Sequence, residues 1–159
     1  MEVINENFGG FAIDKEVFDW MYENIPHGTN ILEFGSGTGS NELSKFWNMY
    51  CVEHDSKWVG KFNSLNYIYA PILNGWYSPT CILHGMPLMY SCILIDGPPG
   101  YIGRMGLLMN TGMLDLTVPI IVDDIQRKAD MDLFNALVNK TGRNGVVVET
   151  TTKRFGVIK

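Results

Sequence analysis

The stretch Asn30-Ile-Leu-Glu-Phe-Gly-Ser-Gly-Thr-Gly-Ser40 decides the fold class of this chain. Its first half is an apolar run typical of a buried strand, and its second half carries three alternating glycines. Glycine lets the backbone turn sharply and approach a ligand more closely than any side chain would permit. The stretch therefore predicts a strand-to-helix turn that holds a polar, flat ligand, although such a turn can also need glycine for packing alone.

The acid at the end of the next predicted strand supports a ligand at this turn. The run Tyr50-Cys-Val-Glu53 is short and apolar, and its acid follows Gly35 by 18 residues. A carboxylate in this place can accept hydrogen bonds from both hydroxyls of a ribose. We therefore predict that Glu53 binds a nucleoside, and a solvated acid at a strand end is the competing interpretation.

Length and composition limit what this site can serve. The 159 residues fit one domain, which we expect to consist of an N-terminal cover segment (1–28) and an α/β core (29–159). The net charge is −5 and the basic residues are scattered, so nucleic acid is disfavoured as a partner. The three cysteines are widely spaced, which favours reduced core residues over disulfides or zinc ligands. Since no apolar run approaches membrane-spanning length, the sequence predicts a cytoplasmic protein without a membrane partner.

Apolar runs alternate with helical faces along the chain, which predicts parallel strands joined by crossovers. The helix after the glycine turn is expected to reach Trp47, and three acids are expected to begin further helices: Asp14, Asp55 and Asp130. Further strands are predicted, in chain order, at 66–70, 91–96, 119–124, 146–150 and 155–158. The segment 71–90 is predicted to be mostly loop. The fold class is therefore α/β, doubly wound, with a mostly parallel seven-stranded sheet that ends in an antiparallel hairpin.

Three motifs resemble those of class I S-adenosylmethionine-dependent methyltransferases: Glu33-Phe-Gly-Ser-Gly-Thr-Gly39, Glu53, and Asp96 after the fourth strand. The resemblance spans about residues 30 to 159, and the terminal hairpin is similar to the methyltransferase version of the α/β fold. Three longer motifs resemble the plant glucuronoxylan 4-O-methyltransferase family: Val52-Glu-His-Asp55 with Trp58, Ile95-Asp-Gly-Pro-Pro-Gly-Tyr101 with Gly103-Arg-Met105, and Val122-Asp-Asp-Ile-Gln-Arg127. The resemblance implies a Rossmann-like fold, S-adenosylmethionine as the cofactor, and a hydroxyl of a sugar or glycan as the acceptor.

The resemblance also implies which residues hold the cofactor. The turn would bind its methionine end, Glu53 its ribose, and an apolar slot its adenine. The predicted cofactor residues are Glu33, Gly35, Ser36, Gly37, Glu53, His54, Tyr69, Ala70 and Asp96.

The acids Asp96, Asp123 and Asp124 are the candidates for the chemistry. Asp96 ends an apolar strand at the carboxyl edge of the sheet, where open α/β folds bind ligands, and a hydroxyl acceptor must lose its proton. We predict Asp96 and Asp124 as catalytic residues. Three clustered acids would repel one another without a cation, and their arrangement is similar to the metal ligands of catechol-type and macrolide-sugar O-methyltransferases. All three are therefore predicted to hold Mg²⁺ or Mn²⁺, unless one of them serves as a general base or Asp123 only bonds the next turn.

The bend that follows Asp96, residues 97–100, is predicted to form one wall of the acceptor site. Tyr101 and Arg104 would face the acceptor from this wall. Ordinary turn chemistry is the competing interpretation of the bend.

Two other functions fit parts of the sequence. A nicotinamide-dependent oxidoreductase would use the same turn and acid, but Ser40 replaces the third glycine of Gly-x-Gly-x-x-Gly. The alternative is a non-catalytic nucleoside-binding domain of a larger glycan-synthesis protein, fused to or acting with glycosyltransferase domains. Binding of NAD would indicate the first, and cofactor binding without turnover the second.

Overall fold

The protein is described by a computed structural model, which covers residues 5–10 and 12–159. These residues form nine strands: β1 (Asn30–Phe34), β2 (Asn48–Glu53), β3 (Asn66–Tyr69), β4 (Ile72–Leu73), β5 (Trp76–Tyr77), β6 (Cys92–Ile95), β7 (Ile120–Val122), β8 (Gly145–Glu149) and β9 (Arg154–Ile158). Seven of them form one sheet in the order β3-β2-β1-β6-β7-β9-β8. Its pairs are parallel except those of β9, which runs antiparallel to β7 and β8. The predicted fold class is therefore confirmed.

Helices cover this sheet. They are α1 (Lys15–Asn24), α2 (Thr38–Leu43), α3 (Pro79–Gly85) and α4 (Lys128–Thr141), with 3₁₀ turns at Asn5–Asn7, Met105–Met109 and Thr111–Met113. Gly142 ends α4 in the left-handed conformation, as predicted for a glycine at a helix C-terminus. None of the helices in the described ranges is long and apolar enough to cross a membrane.

The core lies on both faces of the sheet because successive strand residues point to opposite sides. On β1, Leu32 and Phe34 face one hydrophobic cluster and Ile31 faces the other. The first cluster includes α4, and the second includes α1. A parallel sheet buried on both faces needs nearly continuous apolar strands, which is why β1, β6 and β7 are recognisable in the sequence.

The helix predicted to begin at Asp55 is absent, and residues 56–65 form turns instead. The Asp55 carbonyl accepts hydrogen bonds from the amides of Trp58 and Val59, which closes a single turn. Gly60 then adopts φ +80°, a left-handed conformation that interrupts a right-handed helix.

The helix after the glycine turn is also shorter than predicted, since α2 ends at Leu43 rather than at Trp47. The amide of Phe46 bonds the carbonyl of Leu43, so the chain tightens into a 3₁₀-type turn before β2 begins at Asn48.

The segment 71–90 contains more structure than the predicted loop. Strands β4 and β5 form a hairpin whose turn is Asn74-Gly75, both with positive φ, as a type I′ turn requires. Helix α3 follows, with Ser78 capping it and Pro79 in its first turn.

Two predicted helix caps act differently in the structure. Asp14 occupies the N-cap position of α1 but makes no capping bond, because its carboxylate accepts hydrogen bonds from the hydroxyls of Thr150 and Thr152. Asp130 lies inside the first turn of α4, whose N-cap is Arg127. The turn between β8 and β9 therefore holds the chain that leads into α1 against the sheet.

Candidate active site

A cleft of about 740 Å³ opens at the carboxyl edge of the parallel strands. It lies where the order of the sheet reverses between β1 and β6, the usual ligand site of open α/β sheets. The cleft is lined by Gly10, Ala12, Gly35, Ser36, Gly37, Thr38, Glu53, His54, Asp55, Trp58, Tyr77, Asp96, Gly97, Pro99, Gly100, Tyr101, Arg104, Asp124 and Arg127. Its volume lies in the range of cofactor and small-molecule pockets.

The three glycines of the turn have different tasks. Gly35 has φ +100°, and a Cβ there would lie 3.1 Å from the amide nitrogen of Gly97. A Cβ on Gly39 would lie 2.9 Å from Cγ1 of Ile13. A Cβ on Gly37 would meet nothing within 4 Å. Packing therefore explains Gly35 and Gly39, and Gly37 is the glycine that leaves open room beside the cleft.

Glu33 supports the turn from beneath and is not among the residues that line the cleft. Its buried carboxylate accepts hydrogen bonds from Ser40 Oγ at 2.9 Å and from Cys51 Sγ at 3.1 Å. Ser40 Oγ in turn accepts from the amide of Gly37 at 3.0 Å. Burial raises the pKa of Glu33 to about 7, against the lowering effect of these hydrogen bonds. Its role in cofactor binding can only be indirect, through the shape of the turn.

Glu53 stands in the cleft beside the turn, as expected of a ribose ligand. One carboxylate oxygen accepts from Ser36 Oγ at 2.5 Å, and the other accepts from the amides of His54 at 2.8 Å and Asp55 at 2.9 Å. These bonds fix the carboxylate between the ends of β1 and β2. The oxygen that accepts from Ser36 keeps a lone pair for a further donor, whereas both lone pairs of the other are used by the two amides.

The residues predicted to form the adenine slot do not all line the cleft. His54 lines the cleft, but Tyr69 is 50% exposed on the edge strand β3 and Ala70 is buried in the core. Trp58 and Tyr77 line the cleft instead. Tyr77 lies in the segment predicted as loop, and the signal in the sequence that could have placed it is the Asn-Gly pair of the hairpin turn at 74 and 75.

Tyr77 presents a buried hydroxyl to the cleft. A Cβ built on Gly97 would collide with that hydroxyl, so the oxygen lies directly against the Asp96–Gly97 strand end. The hydroxyl has no hydrogen-bond partner among the described residues. A buried hydroxyl without a partner is a candidate hydrogen-bond donor to a ligand in the adjoining cleft.

The structure brings the three predicted acids together. One carboxylate oxygen from each of Asp96, Asp123 and Asp124 lies within 4.8 Å of the others. Asp96 and Asp124 line the cleft, whereas Asp123 is fully buried behind it and its Oδ1 lacks a hydrogen-bond partner in the described part of the chain. Asp124 adopts φ +61°, a left-handed conformation that is uncommon for a residue other than glycine.

Three basic residues pair with these acids. Lys153 Nζ lies 2.7 Å from Asp123 Oδ2, and Asp124 Oδ2 lies 3.2 Å from Arg104 Nη2 and 2.7 Å from Arg127 Nη2. The prediction of a metal ion assumed that nothing compensates the negative charges of the three acids, whereas these basic residues do so. Sequence analysis did not select Lys153 or Arg127, and only the terminal hairpin brings Lys153 here.

Arg104 is 3% exposed and ties the walls of the cleft together. Its guanidinium donates to the carbonyls of Pro98, Asp123 and Asp96 and to the carboxylate of Asp124. Arg104 lines the cleft, where it was predicted to face an acceptor, and protein acceptors already engage its guanidinium. Tyr101, in contrast, is 86% exposed at the rim of the cleft, where an acceptor can contact it.

The acids differ in proton affinity. Burial and the charge of Asp123 raise the pKa of Asp96 well above its usual range, although Arg104 and Lys153 oppose this. Burial likewise raises the pKa of Asp123. Burial acts in the same direction on Asp124, but Lys153, Arg104 and Arg127 outweigh it and lower the pKa. Asp96 is thus the cleft carboxylate best suited to accept a proton.

Known structures share this fold. A candidate caffeoyl-CoA O-methyltransferase from Staphylococcus aureus is 14% identical with a TM-score of 0.64, over 91% of this chain and 81% of that one. The MycE methyltransferase from the mycinamycin biosynthetic pathway, in complex with Mg and SAH, is 13% identical with a TM-score of 0.62. The match covers 91% of this chain but 45% of MycE. An rRNA methylase from Streptococcus thermophilus is 10% identical with a TM-score of 0.55, over 89% of this chain and 92% of that one.

No protein-family model matches the sequence, and no curated protein matches it. Similarity at these identities establishes the fold, which is that of class I S-adenosylmethionine-dependent methyltransferases. These proteins include a candidate caffeoyl-CoA O-methyltransferase and an rRNA methylase, so the fold leaves the acceptor open. The narrower resemblance to glucuronoxylan methyltransferases rests on its motifs alone.

Proposed function

We propose that the protein is an S-adenosylmethionine-dependent methyltransferase that acts on a hydroxyl of a sugar or glycan. One observation carries the proposal: a single cleft joins the open side of Gly37, the fixed carboxylate of Glu53 and the strand-end acid Asp96. These groups suit, in this order, the methionine end, the ribose and the reacting methyl of the cofactor. The sugar as acceptor is supported by the motif resemblance and by the acidic net charge, which disfavours RNA.

The residues of the cleft have separate tasks in this proposal. S-adenosylmethionine supplies an electrophilic methyl group on a sulfonium. Glu53 accepts hydrogen bonds from the ribose, and the backbone amides of the glycine turn lie against the methionine end. Asp96 accepts the proton of the attacking hydroxyl, which contributes a factor of about 100 to 10,000 in rate. Tyr101 contacts the acceptor at the rim, and no step uses a divalent ion.

Alignment is the larger contribution expected of the fold. The attacking oxygen must lie on the line through the methyl carbon and the sulfur, and holding both partners there can contribute about 7 to 11 kcal/mol. The rigid contact between Gly35 and Gly97 fixes the two strand ends that would hold donor and acceptor.

Calorimetry tests the cofactor. We expect S-adenosylhomocysteine to bind the wild type and to bind Glu53→Ala more weakly by roughly 1.5 to 3 kcal/mol, because a charged acceptor is lost. Equal affinities of the wild type and Glu53→Ala for S-adenosylhomocysteine would contradict a hydrogen bond between Glu53 and the ribose. Binding of NAD in place of S-adenosylhomocysteine would support an oxidoreductase.

A radiolabelled methyl-transfer assay tests the acceptor class. Glycans that carry rhamnose or uronic acid are expected to become labelled, while an RNA of similar length does not. Labelling of the RNA alone would contradict the proposed acceptor, and cofactor binding without labelling of any acceptor would indicate a non-catalytic domain.

A further inference from the structure

The acidic cluster formed by Asp96, Asp123 and Asp124 already contains a cation. Lys153 Nζ lies 2.7 Å from Asp123 Oδ2, 3.3 Å from Asp124 Oδ1 and 3.0 Å from the carbonyl oxygen of Ala12. An ammonium group has three donors and no acceptor. Each donor of Lys153 therefore has a partner, and two of the partners are oxygens of the cluster.

The position of this ammonium is fixed by its surroundings. Lys153 lies in the turn between β8 and β9, its side chain is 6% exposed, and its amide donates to Thr150 Oγ1 at 2.9 Å. Burial by itself would lower the pKa of Lys153, but Asp123 and Asp124 outweigh this and raise it. The side chain therefore stays positively charged at neutral pH.

Arg104 completes the compensation on the side of the cleft. Its Nη2 lies 3.2 Å from Asp124 Oδ2 and 3.7 Å from Asp96 Oδ1. Each acid of the cluster thus has a basic nitrogen of the protein within 4 Å. The side chains of Arg104 and Lys153 are 3% and 6% exposed, so solvent screens the pairs weakly.

A divalent ion does not fit beside these groups. Lys153 engages Asp123 Oδ2 and Asp124 Oδ1, and of the two oxygens of Asp123 only Oδ1 lacks a partner among the described residues. Mg²⁺ needs several carboxylate oxygens at about 2.0 to 2.1 Å, so an ion bound to Asp123 Oδ1 would lie beside the ammonium on the same carboxylate. Two positive charges would then lie a few ångströms apart in a poorly solvated site, where like charges repel strongly. Carboxylate oxygens suit a hard metal ion, but the ammonium group of Lys153 already lies against Asp123 and Asp124.

We propose that Lys153 takes the place of a divalent ion in this cluster and holds Asp123 and Asp124 in position beside Asp96. Lys153 is then a positioning residue, because it acts on the cleft through the acids and does not line the cleft itself. Its effect on methyl transfer rests on the proposed function, whereas the exclusion of a metal ion does not.

Titration with Mn²⁺ followed by electron paramagnetic resonance tests the proposal at neutral pH, with the whole protein. The wild type is expected to bind no Mn²⁺ at the cluster. Lys153→Met removes the charge at similar length and is expected to bind one Mn²⁺ about tenfold or more tightly than the wild type. Asp123→Asn in the Lys153→Met protein is expected to abolish this gain.

Two variants serve as controls. Lys153→Arg keeps the positive charge and is expected to exclude Mn²⁺ like the wild type. Lys128→Met removes an exposed lysine that pairs with Asp132, and it is expected to leave Mn²⁺ binding unchanged. If Lys153→Met does not fold, the wild-type titration and Lys153→Arg still decide the question.

Two results would overturn the proposal: a wild type that binds one Mn²⁺ and loses it in Asp123→Asn, or a folded Lys153→Met that gains no Mn²⁺ site. S-adenosylhomocysteine binding is measured on the same samples. Failure of the wild type to bind it would contradict the proposed function, while the Mn²⁺ result would remain interpretable. In an active preparation, Lys153→Met should lower kcat with little change in the KM of S-adenosylmethionine, and Lys153→Arg should restore kcat.

Discussion

The two halves of the cleft are held in place by different kinds of interaction. In the turn half, residues 33–40 and 51–55, hydrogen bonds join side chains of the two neighbouring strand ends, such as Ser40 to Glu33, 7 residues apart, and Ser36 to Glu53, 17 residues apart. In the acidic half, residues 96–104, 122–127 and 153, ion pairs join groups from distant elements, such as Lys153 and Asp123. The turn half is therefore preorganised by hydrogen bonds between neighbouring strand ends, and the acidic half by charge balance between separate parts of the chain.

The chemistry should depend on the acidic half and binding on the turn half. We expect Asp96→Asn to lower kcat by a factor of about 100 to 10,000, because the proton acceptor is lost. The affinity for S-adenosylhomocysteine should stay within about tenfold, since the ribose contact is intact. Steady-state kinetics and calorimetry measure the two quantities.

Asp132→Asn is the control for this variant, because it removes an exposed acid far from the cleft. It should leave both quantities unchanged. Retention of half the wild-type kcat in Asp96→Asn would show that another group accepts the proton.

The stability of the protein should depend on pH through Glu33, the buried acid of the turn half. The pKa of Glu33 is raised from 4.5 to about 7, so the folded state holds its proton more firmly than the unfolded state does. The resulting contribution to stability is fully present below pH 4.5 and is lost as the pH rises through 7, by at most about 3 kcal/mol.

Urea unfolding at several pH values checks this. Glu33→Gln should gain stability relative to the wild type between pH 5 and pH 8, because the amide does not ionise. The difference between the two proteins cancels the other acids, whose pKa values shift in both directions. Parallel stability curves for the two proteins would contradict the ionisation of Glu33 in the folded state.

The contact between the two halves should depend on Gly35. Gly35→Ala is expected to lose about 1 to 3 kcal/mol of stability, since its φ is +100° and its Cβ would press on the backbone of Asp96 and Gly97. Gly37→Ala is the matched control, because its backbone is extended and the added carbon meets open space.

We expect Gly37→Ala to unfold within about 0.5 kcal/mol of the wild type and to bind S-adenosylhomocysteine more weakly. Thermal unfolding and calorimetry distinguish these effects. Equal stability of Gly35→Ala and Gly37→Ala would show that the ends of β1 and β6 can move apart to accommodate the added carbon without loss of stability.

The smallest effect is expected for Tyr77, whose hydroxyl lies between the halves. Tyr77→Phe should leave stability nearly unchanged, because the hydroxyl has no partner in the described residues. Affinity for S-adenosylhomocysteine should fall by about two- to tenfold if a neutral hydrogen bond is lost. An unchanged affinity would exclude a contact between this hydroxyl and the cofactor.

The predictable parts of the molecule are those whose cause is local. Strands β1, β6 and β7 are continuous apolar runs, and the carboxyl ends of parallel strands meet at one edge, which is why the grouping of Glu53 and Asp96 could be predicted. The turns after Asp55 were missed because a helical spacing of apolar residues outweighed Gly60. The sequence around Arg104 does not show that several backbone carbonyls surround its guanidinium, because these come from separate elements.

Lys153 and Tyr77 show the limit of local prediction. Each enters the site from a hairpin, and a hairpin signal gives the position of a turn but not the face of the sheet that its side chains reach. The ion pair between Lys153 and Asp123 depends on the order of β7, β9 and β8, which is a tertiary property.

The bonds from the β8–β9 turn to Ala12 and Asp14 have a consequence for how the molecule matures during synthesis. They join positions up to 141 residues apart, and Ala12 forms part of the cleft wall. A nascent chain that lacks its last two strands has neither the ammonium for Asp123 nor the anchor for this wall. The cleft is therefore completed only after β8 and β9 have been synthesised, and a chain truncated before Thr150 should lack a working site.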